Sequence, residues 1–395
     1  MNINYSLKKM SVCFVVLVFL FLGSFVFSSE VQAGFRFVAW ADTRGNNTEL
    51  AHLSNQVKVL PIQPAFTIYP GDLIPTNSAF SPEVRFQNWK AALDGGNNNG
   101  LTARTFASRG GHDMGYVGDT DLWVKLFQPG PLSDPGSVAS VVGVSNYQAL
   151  NTDLTYSFDY QNSHFVAVDA YGNANTLTVA QQAWMNDDLS SAAARGMKHA
   201  FLFWHGPIYT VNGHMSSVPT ALVTMLNNHP IISAGFFGHE HVLAHTTLDK
   251  SRVPQFTNRV MEQFVSGGAG AGFYSCTAGR SDFCQPQYGF LTVDVLSDTQ
   301  FRAAFYKDGS TTPIFENTYT KGEVGPGPTI TPTVSPTGTG KMGDINGDNK
   351  VDIIDVGIII DNYQLQLLQN SKADLNGDGK VDIVDIGILV DNYGL

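Results

Sequence analysis

Residues 235–241 read Gly235-Phe236-Phe237-Gly238-His239-Glu240-His241, an apolar run that stops at a glycine and delivers two histidines. Short apolar runs bounded by turn residues read as buried strands, and in open α/β sheets the chemistry gathers just past the strands' carboxyl ends. The same pattern recurs outward from this stretch. FRFVAWA at 35–41 leads into Asp42-Thr43-Arg44-Gly45, and AFTIY at 65–69 into Pro70-Gly71-Asp72. Arg109-Gly110-Gly111-His112-Asp113 follows, and AFLFW at 200–204 delivers His205-Gly206-Pro207. Taken singly, a Gly-Asp or Gly-His step is turn chemistry. Together, these strand ends imply a sheet edge that collects carboxylate and imidazole donors.

The order Asp, Gly-Asp, Gly-x-His-Asp, His, Gly-His-x-His resembles the calcineurin-like metallophosphoesterase superfamily, which includes the purple acid phosphatases. YSFDY at 156–160, HFVAVD at 164–169, QQAWMNDDL at 181–189 and VSGGAG at 265–270 fit the same family, so the resemblance spans about residues 35–310. It implies an α/β fold, a four-layer α/β/β/α sandwich. It also implies one or two divalent transition metals, Fe, Zn or Mn, which neutralise a phosphoester's charge and acidify a water. By this resemblance Asp42 and His241 hold the first metal, His205 and His239 the second, and Asp72 bridges both. His112 would stand beside the leaving-group oxygen, with Asp113 able to orient it.

This chain departs from the family at three positions. The first motif is usually Asp-x-His, and Arg44 stands at its third position. Purple acid phosphatases supply a Tyr three residues after the Gly-Asp aspartate, where Pro75 stands here. The third motif usually has Asn before His, and Gly111 replaces it. A guanidinium keeps its proton and repels a cation, so Arg44 is either a clamp for a phosphate oxygen or a partner for a carboxylate. His52, early in a helix expected from about Thr48, is a candidate replacement ligand or an ordinary surface or core histidine. Asn46 and Asn47 are nearby oxygen donors or plain turn residues. The expected outcomes are a depleted two-metal site, one firm metal, or a fold without activity.

The C-terminus carries a repeat of a different kind. GDINGDNKVDIIDVGIIIDNY from Gly343 recurs as ADLNGDGKVDIVDIGILVDNY from Ala373. Asp344, Asn346, Asp348, Asp352 and Asp355 stand at positions 1, 3, 5, 9 and 12 of a twelve-residue loop, 344–355. Asp374, Asn376, Asp378, Asp382 and Asp385 repeat them in loop 374–385. Lys350 and Lys380, at position 7, contribute a carbonyl. Calcium takes six to eight oxygens, and these offsets wrap it. With Asp rather than Glu at position 12, and a helix only after each loop, residues 342–395 closely resemble a type I dockerin. That implies a small all-α module with two Ca2+ that binds a cohesin domain on a scaffold or cell-surface protein. Its docking positions would be Ile353, Ile354, Ile383 and Val384, apolar in both halves.

GPGPTITPTVSPTGTG at 325–340 has four Pro and four Gly, so it reads as an extended spacer that buries no core. The expected divisions are a signal at 1–33, a phosphoesterase domain at 34–320, a linker at 321–341 and the dockerin at 342–395. Lys8 and Lys9, the apolar run 11–27 and Val31-Gln32-Ala33 make a secretory signal, with an uncleaved anchor as the alternative. Export leaves Cys276 and Cys284 in an oxidising space, where a local disulfide is expected. With 43% hydrophobic and 14% charged residues the chain is not disordered. Its net charge of −11, of which residues 342–395 supply −7, excludes a broadly basic nucleic-acid surface. The reading is a secreted or cell-surface phosphoesterase carried by a dockerin. The alternatives are a binding module with a degraded site, or an accessory component of a polysaccharide-degrading complex.

Overall fold

The computed structural model describes residues 34–95, 100–150, 153–170, 177–213, 220–257, 259–322, 343–345, 350–352, 355–356, 358–359, 373, 375, 381 and 383–393. The expected signal, the spacer and His214 lie outside the described residues, as do Asn346, Asp348, Ile353, Ile354, Asp374, Asn376, Asp378, Lys380 and Asp382. Apart from the short stretch Ile314–Glu316, the chain divides into two compact units between Gly327 and Pro328. Among the described residues, no helix is long and apolar enough to cross a membrane.

The large unit opens with β1 (Phe35–Ala39), α1 (Asn47–Lys58), β2 (Phe66–Pro70), α2 (Pro82–Leu93), β3 (Thr105–Ser108), α3 (Asp119–Leu126) and α4 (Val138–Val142). Next come β4 (Ser145–Leu150), β5 (Thr155–Tyr160), β6 (Ser163–Ala167), α5 (Val179–Ala194), β7 (His199–Phe203), α6 (Thr220–Asn228) and β8 (Ile232–Phe237). It closes with β9 (Leu243–Leu248), β10 (Met261–Ser266), β11 (Phe283–Gln285), β12 (Gly289–Val295), β13 (Gln300–Lys307) and β14 (Phe315–Thr320). One sheet has the order β14-β13-β12-β1-β2-β3, and the other β11-β9-β10-β8-β7-β6-β5-β4. Strands that feed the centre run parallel, β1 with β2 and β2 with β3 in one sheet, β7 with β8 in the other.

Side-chain alternation explains the four layers. Successive strand residues point to opposite faces. Phe37, Phe165, Phe201 and Phe236 meet between the sheets, with Phe37 5.2 Å from Phe165 and 5.3 Å from Phe236. Their neighbours turn outward. Val38 packs with Leu50, Leu53, Phe86 and Trp89 under α1 and α2, whereas Val166, Leu202 and Phe237 pack with Met185, Leu189 and Leu222 under α5 and α6. Burying each such side chain contributes about 1.5–3 kcal/mol, which makes the aromatic seam the main force joining the sheets. Helix starts follow the sequence: Asn46 caps α1, Ser81 with a following proline starts α2, and Thr178 with Gln181 forms a capping box on α5.

In the small unit Ile345, Val351, Ile359, Ala373, Val381 and Leu389 form one buried cluster, which draws on both copies of the repeat. Its described helix, α7 (Ile383–Asn392), follows the second loop as expected.

Candidate metal centre

Each chemical side chain sits just beyond a strand. Asp42 follows β1, Asp72 follows β2, His112 follows β3, His205 follows β7, and His239 and His241 follow β8. One sheet thus supplies the two carboxylates and His112, and the other supplies His205, His239 and His241. Backbone hydrogen bonds stitch the loops together: Asp42 N–H donates to Gly71 O (3.1 Å) within one sheet, Gly238 N–H to His205 O (2.9 Å) within the other, and Ala41 N–H to Ser266 O (2.9 Å) between the two. Space is tight. A Cβ on Gly238 would lie 2.4 Å from Asp42 Oδ2, so only glycine fits there.

The backbone bends sharply to aim these groups. Asp42, Arg44, Asp72, His239 and His241 have φ of 63°, 47°, 56°, 69° and 41°. They are five of the eight non-glycine residues with positive φ among the described residues. Each costs roughly 1–2 kcal/mol, which the surrounding loops must offset.

The result is a convergence of ligand atoms. Asp42, Asp72 and His241 bring one ligand atom each to within 4.8 Å of the others. His241 Nδ1 donates to Gly272 O (2.7 Å), leaving Nε2 with its lone pair 3.6 Å from Asp42 Oδ1. His205 Nδ1 donates to Pro70 O (3.0 Å), and its Nε2 faces Asp72 Oδ2 at 3.5 Å and His239 Nδ1 at 3.3 Å. Fixing one ring nitrogen on a carbonyl frees the other for a cation, the usual arrangement of ligating histidines. Asp42 Oδ2 accepts from His239 N–H (2.8 Å), but Asp42 Oδ1 is buried without any hydrogen-bond partner. A buried, unsatisfied carboxylate oxygen is costly unless a cation meets it. The donor set, two carboxylates with three imidazoles and no thiolate, fits Zn, Fe or Mn.

The electrostatics point the same way. Burial pushes the Asp42 carboxyl well above its usual range, with His205 opposing and Asp72 adding to the rise. At Asp72, burial is outweighed by His205 and by the His112 backbone N–H (2.9 Å), which hold the carboxyl below its usual range. Burial would lower His205, yet Asp72 carries it up to about 10, so without a cation a proton lies between the two. On His205 Nε2 that proton occupies the lone pair a metal would use, and a metal bound there would have to displace it. Burial brings His241 down to about 4 and keeps it neutral.

The remaining candidates find different places. His112 is half-buried, and its Nδ1 meets the Thr76 hydroxyl and Arg44 Nη2 (3.4 Å). Arg44, Thr76, His112, Gly270 and Gly272 line a cavity of about 550 Å3. Asp113 does not orient His112. Its carboxylate accepts from Leu73 N–H (2.9 Å), Ile74 N–H (3.2 Å) and Gly110 N–H (2.9 Å), tying the second motif's loop to the third's. Burial, with Asp72 nearby, raises that carboxyl to about 7. His52 is not at the centre. Leu50, Leu53 and Val57 set the buried face of α1, which leaves His52 exposed beside Glu49 and Asp308. Asn46 caps α1 and donates to Gly270 O (3.0 Å).

Residues 76 and 272–274 escaped the motif reading. Thr76 lies in a loop without a pattern of its own, and Tyr274, stacked on His241 with centroids 4.4 Å apart, sits between glycines and a cysteine. Cys276 and Cys284 form the expected disulfide. The remaining described histidines have structural partners: His164 lies between Asp159 and Asp188, His199 meets Ser233, His229 meets Asn186, and His245 meets Glu262. Trp40, Trp123 and Trp204 are core residues.

In the small unit the two position-12 aspartates, Asp355 and Asp385, are fully buried and do the same job. Asp355 Oδ1 accepts from Ile345 N–H and Asp385 Oδ1 from Leu375 N–H, both at 2.7 Å, which closes each loop end to end. Val384 is exposed on α7, and the backbone of Ile383 begins that helix.

Residues 342–392 match the model of the dockerin type I domain. The chain carries a type I dockerin. The large unit has a metallophosphoesterase fold. It overlays on a purple acid phosphatase from yellow lupin (Lupinus luteus) seeds with a TM-score of 0.53 and 13% identity, over 73% of this chain. This chain spans 54% of that structure's length, and at such identity the likeness is one of fold. A dimetal phosphatase from Danio rerio overlays more loosely, with a TM-score of 0.46 and 14% identity, over 73% of this chain and 99% of that one. No curated protein matches the chain.

Proposed function

We propose that the large domain hydrolyses phosphate esters at a centre formed by Asp42, Asp72, His205, His239 and His241. The dockerin, in this reading, fastens the secreted enzyme through two bound Ca2+ to a cohesin-bearing scaffold or surface protein. The observation that carries the proposal is the buried convergence of Asp42, Asp72 and His241, with one Asp42 oxygen left unsatisfied. Divalent metals bound there neutralise a phosphoester and lower the pKa of a water.

The chain's own residues do the rest. Asp72, kept ionised beside His205, turns Oδ2 towards His205 while its Oδ1 accepts from the His112 backbone N–H. Arg44 is a fixed positive charge on the cavity wall, suited to clamp a phosphate oxygen in place of the histidine that the family has there. Its N–H faces His112 Nδ1, and with Nδ1 accepting from it the imidazole proton would sit on Nε2. His112 Nε2, 3.9 Å from Asp72 Oδ2, is then a hydrogen-bond donor towards the leaving oxygen. Dockerin attachment raises the enzyme's local concentration near substrates held on the same scaffold.

The test is metal analysis of the purified chain together with turnover of an aryl phosphate across Zn, Fe and Mn. Near-stoichiometric metal with turnover supports the enzyme. Bound metal without turnover would favour the binding module that Pro75 and Gly111, which provide no ligand, make the alternative. A chain that takes up no transition metal overturns the proposal.

A further inference from the structure

After β10 the chain runs along the metal centre before it reaches the Cys276–Cys284 disulfide. In that run Ala271 N–H donates to Asp42 O (2.8 Å), and Gly272 O accepts the His241 Nδ1–H (2.7 Å). The Tyr274 ring then lies flat on the His241 ring, with planes 9° from parallel. One short segment therefore holds both Asp42 and His241.

Downstream the segment is fastened several times. Thr277 N–H donates to Val211 O (3.2 Å) and its hydroxyl to Asn212 O (3.0 Å). Arg280 Nε donates to Thr210 O (2.8 Å), and its guanidinium lies over the Tyr209 ring at 4.9 Å. The disulfide returns the chain to β11, where Cys284 pairs with Ala244 of β9. Glu240, between the two histidines, accepts from Val211 N–H (2.7 Å), so the 209–212 loop is tied to the histidine loop as well.

We infer that residues 271–284 are a disulfide-pinned brace for His241, with Tyr274 as a positioning residue that acts through the imidazole. The Gly272 carbonyl fixes the tautomer and one direction of the ring. A flat aromatic contact then blocks rotation of the ring about its own bond, which the hydrogen bond alone leaves partly free. Together they aim Nε2 at the space beside Asp42 Oδ1. Loss of an outer partner of a ligating histidine commonly costs 10–100-fold in metal affinity. The brace matters more here because position 44 offers a guanidinium instead of a further donor. The inference rests on the reading of Asp42, Asp72 and His241 as metal ligands.

The experiment uses the full chain and zinc alone. Zinc affinity is measured by chelator competition for wild type, Tyr274→Ala, Tyr274→Phe, a Cys276→Ser/Cys284→Ser double variant and Val59→Ala. Tyr274→Ala and the double variant should weaken binding about 10–100-fold. Tyr274→Phe keeps the ring and should stay within about threefold of wild type. Val59→Ala, which trims an exposed side chain at the end of α1 outside the brace, should leave binding unchanged. Long-range proton–nitrogen NMR of histidine-labelled, metal-free chain gives a second readout. Wild type should show His241 as the Nδ1–H tautomer with a ring-current shift that disappears in Tyr274→Ala. Zinc binding by Tyr274→Ala as tight as wild type would overturn the brace. If wild type takes up no zinc, the metal reading falls and the NMR decides alone: identical His241 signals in wild type and Tyr274→Ala would then overturn the brace.

Discussion

The proposed ligands of the large unit come from positions as far apart as 42 and 241, whereas each proposed calcium loop of the small unit takes its ligands from twelve consecutive residues. This difference sets which event comes first. A scattered set converges only after the sheets have formed, so the aromatic seam and the loop hydrogen bonds hold Asp42 and Asp72 buried beside each other before any ion arrives. A local set of acidic side chains repels itself, and a small unit with one modest apolar cluster has little else to hold it. On the proposed function, the ion would be a late guest in one region and part of the fold in the other.

The largest effect that would break this comparison is calcium removal. A chelator added to the full chain should abolish most of the helical circular dichroism of the small unit, leaving the melting transition of the large unit in place. An unchanged spectrum would show that the small unit folds without its ions. Next in size is Asp72→Asn. It keeps the shape and removes the charge shared by both ligand sets, so turnover should fall by about 10³ or more, equivalent to about 4 kcal/mol, with the melting temperature little changed. A large drop in melting temperature instead would mean that the centre is not held ready by the fold.

Gly238→Ala should come third. Its methyl group would press on Asp42 Oδ2 and on the Ala41 side chain, and overpacking of this kind costs about 1–3 kcal/mol. Thermal unfolding should report that loss, and metal content should fall with it. The smallest effect is on pH dependence. Burial opposes ionisation of Asp159, but hydrogen bonds from His164 and Arg195 outweigh it and depress its pKa. That stability is present above the unfolded value of about 4 and is lost as pH falls through the depressed one. Burial likewise opposes protonation of His164, but Asp159 and Asp188 raise its pKa. Its share is complete below the unfolded value of about 6.5 and fades as pH rises through the raised value. Melting temperatures from pH 3 to 9 should therefore peak between these limits in wild type. In His164→Gln they should lose the alkaline slope, by about 1 kcal/mol.

Much of this was legible in the sequence because strand ends are. The apolar runs before Asp42, Asp72, His205 and His239 are strands, with bounds that differ by up to three residues from the expected ones, and the repeat at 343–393 declared itself through spacing alone. The position of His52 was also legible in principle: with Leu50, Leu53 and Val57 facing inward, a residue two places after Leu50 points nearly the opposite way on a helix. What could not be read are contacts between segments without a pattern. Nothing in Thr76 announces His112, and nothing in Tyr274 announces His241, because each pair depends on how far a loop travels after its strand.

The left-handed backbone at Asp42, Asp72, His239 and His241 bears on how the centre should be dissected. Asn, Asp and His tolerate that conformation better than most residues, whereas Ala does not. An alanine scan would remove a donor and twist the chain at the same codon, and its inactive variants would confound chemistry with misfolding. Exchange among asparagine, aspartate and histidine alters one ligand at a time while the peptide path stays as it is, and a mutational survey of the centre is interpretable only in that restricted alphabet.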